Sequence, residues 1–109
     1  MIFNKLVRDK IPEIIAKQGK TVTFRALRGE ELKQALKDKL IEETKELVNA
    51  QTQEQAIEEL ADVFLVVQTL FSIDNSLYDK LCETIAVKNC EKGIFKFGYF
   101  LESVEEGEE

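Results

Sequence analysis

Residues 60–71 read LADVFLVVQTLF, a run in which only Asp62, Gln68 and Thr69 are polar. Wound at the helical repeat, it is apolar on nearly every face, so its helix belongs at the centre of whatever assembly contains it. The spacing predicts a helix from about Glu54 to Ser72. Asp62 interrupts the apolar run, and Glu59 lies three residues earlier, on the same face one turn away. An isolated ionised carboxylate in such surroundings is costly unless it is paired or bound to metal.

The helix before it shows the same anomaly. A long helix is predicted from about Glu30 to Ala50, joined to the apolar one by the polar turn Gln51-Thr52-Gln53. At about 100° per residue, Leu32, Leu36, Leu40 and Leu47 fall within an arc of about 80°, and Glu43 lies inside it. Glu46 sits at the border of that arc, and Glu42 further round, where solvent or a metal can reach it. Glu43 thus occupies a position that the pattern assigns to the core. Two readings fit Glu43 and Asp62: a buried ion pair with lysine, or a metal. Two acidic pairs on adjacent antiparallel helices favour the metal, and ligands that are all oxygen select Mg²⁺ or Mn²⁺ over Zn²⁺. For Glu54, Glu58 and the C-terminal glutamates, a solvated acidic face is explanation enough.

Outward from this pair the chain remains helical. Asp9 to Lys17 reads as a short helix capped by Asp9, with Pro12 in its first turn and Gly19 ending it. Thr21 to Leu27 is β-branched and partly alternating, a short extended piece. Ser76 is placed to cap a helix from Leu77 to about Lys92, stopped by Gly93. Leu77, Leu81 and Ile85 form its apolar stripe, which continues onto Lys88 and Lys92; either lysine suits a structural counter-ion or a phosphate. Ile94 to Leu101 is apolar and aromatic, an extended segment packed on the bundle or on a partner. Residues 1–102 are expected to form one domain, and 103–109 an acidic, disordered tail. The fold class is all-α: an antiparallel bundle that homo-oligomerisation, at least to a dimer, must complete, because three helices cannot cover so apolar a member.

Composition narrows the chemistry. In 109 residues there are no histidines, which removes histidine catalysis and histidine metal ligands, and the net charge of −6 argues against binding polymeric nucleic acid. Cys82 and Cys90 lie roughly 12 Å apart along one helix, too far for a disulfide within it, and read as plain thiols. No run is long enough to span a bilayer and the first residues lack a signal-peptide core, so a cytoplasmic location is expected.

The ordered motifs also resemble a known family. Glu42-Glu43-Thr44-Lys45-Glu46 followed by Glu59-Leu60-Ala61-Asp62 looks like the EExxE…ExxD signature of the all-α NTP pyrophosphohydrolases, the MazG-like superfamily. The opening from Asn4 to Ile15, NKLVRDKIPEII, resembles its phosphoribosyl-ATP pyrophosphohydrolase-like branch, as does Lys92-Gly93-Ile94-Phe95 with Tyr99-Phe100-Leu101. Ile94 departs from the second glycine that this branch often carries there. The resemblance implies a helical oligomer in which Glu43, Glu46, Glu59 and Asp62 bind Mg²⁺, with Glu42 orienting water or holding a second ion. It implies hydrolysis of a nucleoside triphosphate to monophosphate and pyrophosphate, with Glu42 or Glu46 orienting or deprotonating the water. Lys88, then Lys5, Arg8 and Lys92, would neutralise phosphates. Arg8 alternatively pairs with Asp9 or fixes the N-terminal segment. Two rivals are a non-catalytic helical interaction module, which predicts no tight Mg²⁺ binding, and a ferritin-like di-metal protein, which normally needs Glu-x-x-His pairs that this chain cannot supply.

Overall fold

The structure is a computed structural model and describes residues 1–107; the end of the expected acidic tail, 108–109, lies outside the described residues. Four helices appear, α1 (Ile11–Lys17), α2 (Gly29–Val48), α3 (Gln53–Ser72) and α4 (Asn75–Lys92), with no strand among the described residues. The all-α expectation therefore holds. Thr21–Leu27 forms no strand, since a lone β-branched segment with no edge to pair with has nowhere to place its backbone hydrogen bonds. Arg25 instead ties this linker to α2 through a two-pronged contact with Glu31, 2.9 Å on each prong.

Local chemistry explains the helix ends. Thr52 caps α3 by accepting from the Gln55 amide at 3.1 Å, while the Gln55 side chain accepts from the Gln51 amide at 2.9 Å. Two expected caps are different. Asp9 does not cap α1: the chain enters through a backbone turn in which the Ile11 amide donates to the Arg8 carbonyl at 3.0 Å, and Lys10 takes the cap position without a side-chain bond. Pro12 does fall in the first turn. At α4 the cap is Asp74 rather than Ser76. Its carboxylate accepts from the Ser76 amide at 3.0 Å and the Ser76 hydroxyl at 2.8 Å, bonds that hold it below the usual carboxylate range. Gly93 closes α4 at φ +78°, a left-handed geometry that glycine adopts without steric cost.

The four-residue connection 49–52 folds α3 back antiparallel to α2. α2 packs on α3 and α3 on α4, while α2 and α4 share only an open groove lined by Leu40, Val67, Leu70, Phe71, Leu77 and Leu81, and α1 packs against no other helix. Within one chain, α4 therefore does not close the bundle by packing on α2. With only three long helices, α3 sits between its neighbours in an open layer. One face of α3, bearing Glu59, Asp62, Val63, Val66 and Leu70, is covered or half-covered. Another, bearing Ile57, Leu60, Phe64 and Val67, is left in water, with Phe64 at 68% exposure. Only Leu36 and Val66 are buried hydrophobic residues among those described.

Beyond Gly93 the chain makes one tight turn, with the Gly98 amide donating to the Phe95 carbonyl at 3.3 Å. It then continues without regular structure. Phe95, Tyr99 and Phe100 are exposed, so this segment is not packed on its own helices. The radius of gyration, 19.6 Å, far exceeds the roughly 13 Å of a compact chain of about this length. Leu36 is the most buried hydrophobic residue among those described, and Leu36→Ala is expected to cost about 2–5 kcal/mol in urea unfolding. Thr52→Ala should cost about 1 kcal/mol by the same measurement, through loss of the α3 cap.

Candidate metal centre

The α2–α3 hairpin brings the acidic residues together. Glu43 faces α3 from the core side of α2 and is only 5% exposed. Carboxylate oxygens of Glu43, Glu46 and Glu59 lie within 4.8 Å of one another, with Glu43 buried, Glu59 half-buried and Glu46 exposed. Helical spacing accounts for the grouping. Glu43 and Glu46 are one turn apart on α2, and the short 49–52 connection sets Glu59 opposite them on α3.

The cluster is short of positive charge. Glu43 Oε1 meets Lys39 Nζ at 3.2 Å, yet Glu43 Oε2 and Glu59 Oε2 are buried with no hydrogen-bond partner. Removal from water, then the neighbouring carboxylates of Glu46 and Glu43, push the Glu59 carboxyl up to about 7. Two unpartnered buried carboxylate oxygens, in a donor set made only of oxygen, fit a hard divalent cation.

Lys39 escaped the sequence reading. Its ammonium bridges Glu43 at 3.2 Å and Glu42 at 3.3 Å, with the side chain only 19% exposed. Burial pulls Lys39 downward, but its bonds to Glu43 and Glu42 outweigh it and leave the group raised. The signal lay in the sequence: a lysine three residues before Glu42 and four before Glu43 shares a helix face with both. The lysine-pair alternative for Glu43 is therefore half right, because one oxygen is paired and the other is not.

Asp62 and Glu42 stand apart from the three-carboxylate group. Asp62 Oδ1 accepts from Arg8 Nη2 at 2.6 Å, so Arg8 pairs with Asp62 and not with Asp9. Glu42 is shared between Lys39 and Lys5, whose Nζ lies 3.6 Å from Glu42 Oε1. Of the expected phosphate-binding residues, Lys5 and Arg8 are thus at the acidic site. Lys88 and Lys92 are exposed on α4, with no ion pair to it among the described residues. Lys92 lines a shallow hollow with Ile94 to Tyr99 that includes none of the carboxylates.

Residues 31–96 match the family model described as the MazG nucleotide pyrophosphohydrolase domain, a stretch that holds every carboxylate of the cluster. An uncharacterized protein of Mycolicibacterium smegmatis is 46% identical over 54 residues, covering 50% of this chain and 55% of that protein. The chain thus spans about half the length of the curated relative it matches. No solved structure matches it significantly.

The raised Glu59 carboxyl has a signed consequence for the metal-free chain. The folded state keeps a proton that the unfolded state gives up near 4.5, so this group's contribution to stability falls as pH rises from there to about 7. Glu59→Gln removes that loss. With EDTA present, the variant is expected to melt above the parent at about pH 8 and level with it near pH 4, as followed by circular dichroism.

Proposed function

Because the chain belongs to the MazG nucleotide pyrophosphohydrolase domain family, we propose that it is a Mg²⁺-dependent enzyme that hydrolyses a nucleoside triphosphate, or a related nucleotide, to the monophosphate and pyrophosphate. The observation that carries this reading is the Glu43–Glu46–Glu59 group, with its two buried, unpartnered oxygens on the family-matched helices. Glu43, Glu46 and Glu59 would hold the cation, with Asp62 as the fourth carboxylate. Bound there, Mg²⁺, or Mn²⁺ in its place, would neutralise phosphate oxygens and make a coordinated water more acidic.

The chain's own residues supply the rest. Glu46 is exposed and Glu42 half-exposed, so either would orient the attacking water and accept its proton. Arg8 carries a planar guanidinium suited to a two-point contact with a phosphate, and Lys5 beside it adds a second charge. On α4, the exposed Lys88 and Lys92 would add further positive charge for a triphosphate tail. Lys39 fixes Glu42 and Glu43 and leaves Glu43 Oε2 free for the cation. A cytoplasmic role in clearing unwanted nucleotides fits this chemistry.

The open layer argues for a second copy of the chain. The α3 stripe Ile57, Leu60, Phe64 and Val67, together with the aromatic segment after Gly93, is more apolar surface than a monomer usually exposes. A homodimer burying it would also complete the bundle. No helix among the described residues is long and apolar enough to cross a membrane.

Pyrophosphate release from a panel of canonical and modified nucleotides should require Mg²⁺ or Mn²⁺ and vanish with EDTA. Glu43→Gln and Asp62→Asn should each reduce it at least about 100-fold, the upper end of what loss of a mere outer partner costs a metal site. Release that survives both substitutions would remove the carboxylates from the reaction. Separately, Phe64→Glu is expected to lower the mass seen by light scattering from dimer to monomer, and an unchanged dimer would place the interface elsewhere.

A further inference from the structure

The segment before α1 reaches the helices in an unusual way. α1 packs against no other helix. Among the described residues, the arm's side-chain polar contacts with the rest of the chain are two: Arg8 to Asp62 at 2.6 Å and Lys5 to Glu42 at 3.6 Å. Both end on carboxylates beside the Glu43–Glu46–Glu59 group. Asp62, the one expected ligand outside that group, is the one whose oxygen Arg8 engages. Five carboxylates thus face three cations, Lys5, Arg8 and Lys39, two of them carried on the arm that leads into α1, a helix that packs on no other.

We propose that this arm is a cationic strap that competes with the metal for Asp62 and Glu42, and that the nucleotide's phosphates relieve the competition by giving Arg8 and Lys5 a replacement partner. The proposal rests on the metal reading of the site given above. In the metal-free chain, Arg8 supplies the positive charge that Asp62 lacks. A divalent ion that recruits Asp62 must displace the guanidinium, which lowers the apparent affinity for metal alone. Arg8 is 56% exposed at its side chain, so it is released into water at little cost and remains at the lip of the site. Metal and triphosphate then bind with positive coupling, each removing part of the obstacle to the other. One residue therefore acts in opposite directions: against the metal alone, and for the metal with nucleotide.

Opposite signs make the test decisive. Mn²⁺ binding is measured by calorimetry on the full chain, for the parent, Arg8→Gln and Lys5→Gln, first without nucleotide. Binding of a non-hydrolysable nucleoside triphosphate to the Mn²⁺-loaded proteins follows. Arg8→Gln is expected to bind Mn²⁺ alone about three- to fivefold more tightly, the range a part-exposed ion pair supports. Its affinity for the analogue should fall about tenfold. Lys5→Gln should shift both in the same senses by less, because its contact is longer. Residue 8 acting only as a structural tie would weaken both, and weaker or equal Mn²⁺ binding by Arg8→Gln overturns the strap. Equal Mn²⁺ binding by all three proteins overturns the strap and leaves the metal site standing. No Mn²⁺ binding by any of them removes the metal site and the strap together.

Discussion

A carboxylate that cannot stay unaccompanied governs this molecule. Glu43 sits at the α2–α3 seam, where a leucine would be expected, and its charge must be met there. Lys39 meets half of it, from the same face of the same helix. The other half draws Glu46 and Glu59 into relevance, because the three residues share one small volume in which their charges repel and raise the Glu59 carboxyl. The short connection between the helices is what keeps that volume small. A longer loop would let α3 slide and separate Glu59 from its neighbours across the seam.

Much of this could be read from the residues. Helix periodicity put Glu43 in the core, and the apolar run around Asp62 identified α3 as the helix with neighbours on more than one side. What could not be read followed from interactions outside any single helix. Nothing in a periodic pattern says that Arg8 reaches Asp62 across 54 positions, because that pairing depends on how an irregular arm runs over the surface. Lys39 is a different kind of omission: its spacing was visible, but a lysine on an acidic helix attracts notice only once its acidic neighbours are known to be buried. The caps at Asp9 and Ser76 were displaced for local reasons, a backbone turn at one end and a better-placed aspartate at the other.

The open layer and the acidic seam are connected. A closed three-helix bundle would bury the Ile57–Phe64 stripe within the chain, whereas here it is turned away from the carboxylates. Apolar association and the polar site therefore occupy different faces of one helix, and α3 serves both because its stretch from Leu60 to Phe71 holds only Gln68 and Thr69 as polar residues besides Asp62. Substitutions on the outer stripe and on the inner carboxylates then act on separate properties, as they do for well-separated sites generally.

The connectivity also orders events as the chain folds. α2 contacts α3, and α3 contacts α4, each the next element in sequence. Helices that meet only their sequence neighbours close short loops and collapse quickly. The N-terminal arm is the exception, since its partner residues are made 37 and 54 positions later. The acidic seam is therefore assembled by a local hairpin before its most distant counter-charges arrive. During synthesis, the arm emerges before the two helices it contacts and docks once both are made.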